Sequence, residues 1–272
     1  VTGRVCTAMD EVKTTLGTVR GRVTSRDGTT IAYERYGDGA GPPLVLVSGA
    51  LCTAASERPL AGLLAGRFSV VAYDRRGRGA SGDTGPYAVE REIEDLAAVV
   101  GEAGSGAALH GVGTGGALAL AAVAAGLSAG PVSVYEPPYS AEDAARHGRA
   151  SALLDRGRRG AALDLFLAGS DVPAEAWQGP EELVSTLAYD HAVLGDGAVP
   201  ERRLAGVHAR VLVVDGGASP EWTRRAARAL TAALPRARHR TLTGQTHEVA
   251  PHVLAPVLEE FLSEERETSG AS

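Results

Sequence analysis

His110-Gly111-Val112-Gly113-Thr114-Gly115-Gly116 is the stretch on which the reading of this chain turns. The apolar run Ala107-Ala108-Leu109 leads into it, and an alanine- and leucine-rich helical pattern over 115–126 leads out. The heptapeptide is therefore expected to be a tight turn between a buried strand and a helix. Glycine is the residue for turns where backbone must pass close by or take conformations closed to other side chains. Gly113 is the middle one, and it presents no side chain at all.

Two motifs overlap here. Gly111, Gly113 and Gly116 spell G-x-G-x-x-G, and Glu136 follows 20 residues after Gly116, as in a dinucleotide-binding fingerprint. Gly111 and Gly115 are also the outer glycines of a Gly-x-Ser-x-Gly elbow, in which a strained strand-to-helix turn exposes a serine. In that second frame Gly113 stands where the serine would be.

The order of elements along the chain decides between them. Residues 19–25 and 29–36 read as two strands joined at Arg26-Asp27-Gly28. Pro43–Val47 is a continuous apolar run, as expected of a strand buried on both faces. A helix at 54–65, a strand at Phe68–Tyr73, a helix at 88–103, the strand 107–110 and the glycine turn follow, then the helix 115–126 and the strand Val132–Tyr135. Residues 138–207 are helical in pattern and broken at Pro173, Gly179-Pro180 and Gly195–Gly197. Alternation resumes with strand 210–214, helix 220–234, strand 238–242 and a last helix at 251–264, ahead of a polar tail. A dinucleotide turn usually sits in the first βαβ unit of its domain, whereas this one follows the fifth strand.

Four pieces, in order, resemble the α/β-hydrolase fold over roughly residues 20–265: Val45-Leu-Val-Ser-Gly-Ala50, with Ser48 in place of the more usual His; Asp74-Arg-Arg-Gly-Arg-Gly-Ala-Ser-Gly82; the elbow Gly111–Gly115; and Gly244-Gln-Thr-His-Glu248. The resemblance implies a mostly parallel eight-stranded sheet flanked by helices, with a short helical lid. The expected division is an N-terminal tail at 1–18, a core of 19–137 and 208–265, a lid at 138–207 and a C-terminal tail at 266–272.

It also implies roles. The catalytic base of this fold is a His on the loop after the last strand, here His247. His110 reads as a core residue, and His147, His191, His208, His239 and His252 have no motif around them. Ser219 falls in the usual slot of the acid, so Glu136, at the end of the sixth strand, is the expected partner, with Asp215 the alternative. The oxyanion hole is made of backbone N–H groups, expected from Thr114 and from Ala50 or Leu51. Cys52 has neither a helix N-terminus nor a His beside it in sequence to make it a replacement nucleophile.

Three functions are open on these residues. One is a catalyst without the serine, using His247 and the oxyanion hole non-covalently for hydrolysis, elimination or cyclisation of a small, mostly apolar metabolite, of a kind found in secondary metabolism and antibiotic biosynthesis. The second is a serine esterase or thioesterase whose nucleophile has been replaced by glycine. The third is a non-catalytic ligand-binding protein on the same frame.

Composition narrows the partners. A formal net charge of -6 over 272 residues argues against a nucleic-acid surface, and Lys13 is the sole lysine. No run approaches the ~20 apolar residues of a membrane span, and residues 1–18 lack the apolar core of a signal peptide, so a cytoplasmic location is expected. Cys6 and Cys52 have no metal-ligand spacing, and neither metal nor cofactor is expected. The apolar stripe Leu153, Leu154, Leu163, Leu165, Phe166 and Leu167 should pack on the core or line a pocket for a small-molecule substrate. Tyr189-Asp190-His191 reads equally as polar contacts or as surface. The sequence does not fix an oligomeric state.

Overall fold

The computed structural model describes residues 18–38, 40–169 and 179–269. The expected N-terminal tail with Lys13 and Cys6 lies almost wholly outside them, as does Pro173. The runs of apolar residues become strands: β1 (Thr18–Thr24), β2 (Thr30–Tyr36), β3 (Pro43–Val47), β4 (Ser69–Tyr73), β5 (Ala108–Val112), β6 (Val132–Tyr135), β7 (Val211–Gly216) and β8 (Ala237–Leu242). They form one sheet in the order β1-β2-β4-β3-β5-β6-β7-β8. β2 is antiparallel to β1 and to β4, and every other pairing is parallel.

Side chains alternate across a strand, and that alternation divides the interior into two cores. Val45, Val47, Val71, Tyr73, Leu109, Val132, Val134, Val211 and Val213 face one side. There they meet α2 (Val89–Ala103), α3 (Thr114–Ala124) and α9 (Glu221–Ala233). Their neighbours Leu44, Leu46, Val70, Ala72, Ala108, Tyr135, Leu212 and Val214 face α1 (Arg58–Leu64) and α10 (Pro251–Ser269). The central strands are thus apolar on both faces because helices cover both.

Between β6 and β7 the chain leaves the sheet for a helical insertion: α4 (Ala141–Leu154), α5 (Arg159–Ala168), α6 (Pro180–Leu183), α7 (Leu187–Leu194) and α8 (Glu201–Leu204). Its apolar stripe packs mostly on itself, with Ala150, Leu163, Phe166, Leu183 and Leu187 gathered around Leu51 of the core. Element ends fall within a few residues of expectation, with one correction. The polar tail expected past Glu265 continues α10 to Ser269, because nothing in Glu265–Ser269 breaks a helix; residues 270–272 lie outside the described residues. Among the described residues no helix is long and apolar enough to cross a membrane.

Candidate active site

The turn after β5 is built by glycines that do different things. A Cβ on Gly111 would lie 2.6 Å from the Gly116 Cα, and one on Gly115 would lie 2.2 Å from the Val47 carbonyl oxygen, so backbone itself excludes any side chain there. Gly113 is different. At φ 54, ψ -124 it opens α3 in a conformation L side chains rarely adopt, yet a Cβ there would meet only His247, at 3.5 Å from both Nε2 and Cε1. The Gly113 N–H donates to the Tyr135 carbonyl at 2.9 Å, which ties the tip to the neighbouring strand.

His247 comes from the loop after β8. Its Nδ1 lies 2.9 Å from Glu136 Oε2, while the Gly216 N–H donates to Glu136 Oε1 at 2.8 Å. Glu136 is buried, and its backbone is at φ 46, a left-handed conformation unusual for a long side chain. Its own N–H is held by the Val214 carbonyl at 3.0 Å. The strain is thus fixed by hydrogen bonds at both the backbone and the carboxylate. Asp215, the alternative acid, does not reach His247. It sits on β7 opposite Thr241 of β8, and its Oδ2 is 3.0 Å from Nε2 of the diagonal neighbour His239, which takes it.

Gly113, Thr114, Ala50, His247 and Glu136 all line one cavity of about 320 Å³ at the carboxyl edge of the sheet, a volume suited to a small molecule. Leu51 does not line it. Its side chain packs into the apolar cluster of the insertion, and its backbone is at φ 52. The Thr114 amide opens α3 and so has no acceptor within the helix. Cys52 also lines the cavity, but burial, with Glu57 adding to it, pushes its thiol up to about 11, away from a nucleophilic thiolate.

Sequence reasoning missed the polar layer behind the site. Arg75 is fully buried, holding Glu92 with two bonds of 2.8 Å and Asp190 at 2.9 Å. Arg78 grips both oxygens of Asp190, at 2.9 and 3.0 Å, and donates to the carbonyls of Gly49 and Cys52. The Thr114 hydroxyl donates to Asp190 at 2.7 Å. Burial alone would raise the Asp190 carboxyl; Arg78 and Arg75 overcome it and hold the group well below the usual carboxylate range. Asp190 lies on α7, so one carboxylate ties the insertion to the Arg75–Arg78 segment and the glycine turn, and Arg78 carries the link on to the loop after β3. The only signal in the sequence was Asp190 amid helical, partly apolar spacing.

The insertion supplies a second wall. Arg146 pairs with Asp143 and lies 5.3 Å above the Phe166 ring, and His147 Nε2 is 3.4 Å from Asp143. His110 enters the turn as a fully buried ring with neither nitrogen bonded, and burial pulls it down to about 4, so it is a neutral packing residue.

The fold agrees with comparisons to known proteins. A family model described as the alpha/beta hydrolase family matches residues 44–259. The chain is similar to the crystal structure of an alpha/beta hydrolase from Sphaerobacter thermophilus DSM 20745, at 49% identity, covering 89% of this chain and 99% of that one, with a TM-score of 0.81. It shares its fold with a hydrolase from Pseudomonas aeruginosa PA01, at 22% identity, 91% and 98% coverage and a TM-score of 0.73. The same holds for a structure from a study of carboxylesterases of the thaumarchaeon Nitrososphaera gargenis, at 19% identity, 91% and 100% coverage and a TM-score of 0.71. No curated protein matches the chain. A model spanning most of the length, and a relative with nearly half its residues identical, show the family: the chain belongs to the alpha/beta hydrolase family.

Proposed function

We propose that this protein is a non-covalent general-base catalyst acting on a small, mostly apolar metabolite of the kind handled in secondary metabolism, with Gly113 in the seat of the family's serine. One observation carries the reading: His247 Nε2 faces the bare Cα of Gly113 across an open cavity while its Nδ1 is engaged by Glu136. With Nδ1–H donating to Glu136, Nε2 keeps its lone pair and can take a proton. The space a serine would fill then holds a water or a substrate group. As Nε2 removes its proton, the electron pair left behind attacks a carbonyl or drives an elimination. The negative oxygen that forms accepts hydrogen bonds from the Thr114 N–H and from that of Ala50, two residues that line the cavity. His247 then returns the proton to the leaving group. Leu60, Val112, Phe166, Trp222 and Leu254 make the cavity apolar, and the insertion acts as its lid.

A covalent serine reading has an observation of its own. A Cβ on Gly113 meets only the His247 ring, at 3.5 Å, so the first carbon of a serine side chain has room there, at the cost of the positive φ. The two part on one experiment: hydrolysis of p-nitrophenyl esters and thioesters by the chain and by Gly113→Ser. The non-covalent reading expects little gain, because the hydroxymethyl displaces the water. A gain of several orders of magnitude overturns it, since nucleophile and base act as one unit. In the native reaction His247→Ala is expected to lose at least ~100-fold in rate. Unchanged ligand binding with no turnover to lose would mark a binding protein.

A further inference from the structure

Glu57 closes the 3-10 turn Ala54–Glu57 ahead of α1 and lines the same cavity as His247 and Gly113. It is only 8% exposed, and it makes no hydrogen bond or ion pair with any described residue. Its oxygens are not among the sealed, unpartnered side-chain atoms, so they open on the cavity, and a carboxyl held in a mostly apolar cavity without a protein partner is costly unless something else completes it. Burial raises the carboxyl to about 7, with no offset from a cation among the described residues.

The other charges around the cavity point to what completes it. The acids of the lining are Glu57, Glu136, Asp143 and Glu248, and the bases are Arg146, His147 and His247. Glu136 is engaged with His247, and Asp143 with Arg146 and His147. Glu57 and Glu248 are left over, and no lysine lines the wall. Cys52, whose thiol stays protonated, brings Glu57 no positive charge, and the next residue in the chain, Arg58, is committed to Glu34 at 2.8 and 3.0 Å. The acids left over thus outnumber the bases; Glu248 is exposed to solvent, whereas Glu57 is buried in a wall that includes Leu60 and Leu254.

We propose that Glu57 is the anchor for a protonated amine, and that the ligand of this cavity is a small molecule joining an apolar body to a primary or secondary ammonium. The assignment deepens the reading of the cavity as a substrate site, but it concerns binding and needs no turnover. An ammonium supplies the missing donors and the missing charge together. Its arrival ionises the carboxyl, and the proton leaves to solvent. Below pH 7 amine binding therefore releases a proton, whereas at pH 8 Glu57 is already mostly ionised and releases little.

The test is calorimetric titration with n-hexylamine and its neutral isostere n-hexanol, at pH 6 and pH 8, in buffers of different ionisation enthalpy. The amine is expected to bind about tenfold or more tightly than the alcohol. It should release up to about one proton at pH 6 and much less at pH 8. Glu57→Gln keeps the shape of the side chain and should abolish both the preference and the proton release. Equal affinities, failure of both probes to bind at millimolar concentration, or a preference that survives Glu57→Gln each overturn the assignment. None of these results bears on whether His247 acts as a base, which rests on the rate of His247→Ala.

Discussion

Two buried polar regions, one behind the cavity and one in its wall, are built on opposite terms. Behind Ala50 and Thr114, the guanidiniums of Arg75 and Arg78 are buried against Glu92 and Asp190, positive facing negative at hydrogen-bond distance. At Glu57 a buried carboxyl has no hydrogen-bond or ion-pair partner among the described residues. The first arrangement is complete in the protein alone and holds segments together. The second is complete only with a partner from outside, so burial by itself does not distinguish a structural charge from a functional one; the partner does.

Breaking the complete region should have the largest effect. Asp190→Ala leaves Arg75 and Arg78 short of a counter-charge, and removal of one member of a buried pair costs about 3–5 kcal/mol. Urea unfolding should show that loss as a lower midpoint. Asp190→Asn retains an acceptor for the Thr114 hydroxyl and should lose less. A neutral result for Asp190→Ala would mean that the guanidiniums reach water when Asp190 is gone.

The incomplete region should respond in the opposite sense. An unfolded chain ionises Glu57 near 4.5, while the folded protein keeps it protonated to about 7. The folded state is thus penalised as pH rises through that interval, by up to about 3 kcal/mol above it. Glu57→Gln should therefore raise the melting temperature at pH 8 and change little at pH 4. His110 is the mirror case, with its folded value near 4 against 6.5 unfolded. Its contribution is lost as pH falls from 6.5 through 4, by a comparable amount. His110→Leu should flatten the acid limb of the stability curve and leave the alkaline limb alone; an unchanged acid limb would show that other groups govern acid unfolding.

A smaller effect separates backbone from side chain. Gly113 and Glu136 end neighbouring strands and both have positive φ, but only the glycine is free of steric cost. Gly113→Ala has room for its methyl and should cost about 1–2 kcal/mol through φ alone. Thermal melts of Gly113→Ala beside Gly111→Ala would show the contrast, because the latter's Cβ collides with backbone.

Much of this was legible in the chain. Strands such as Val132–Tyr135 are marked by runs apolar on both faces, and the glycine turn by its neighbours on either side. The pairing of Glu136 with His247 followed from the order of loops along one sheet edge. Asp215 was the harder alternative to reject, since only the register of β7 on β8 turns it toward His239. Asp190 and Glu57 were not legible. Asp190 meets Arg78 across 112 residues, and which acids end up buried is set by how the insertion docks. The extension of α10 was missed because polarity alone was read as an end to the helix.

The grip of Arg78 on the Gly49 carbonyl has a consequence for exchanging parts. In a trans peptide the C=O and the next N–H point in opposite directions. Fixing the Gly49 oxygen toward Arg78 therefore turns the Ala50 N–H the other way, and Arg78 is itself aimed by Asp190 from the insertion. The direction of a main-chain dipole in the core is thus inherited from a helix inserted some 140 residues later in the chain. A chimera that grafts a foreign insertion onto this sheet would carry over a new roof, yet without an acid at that one place it would also release the floor.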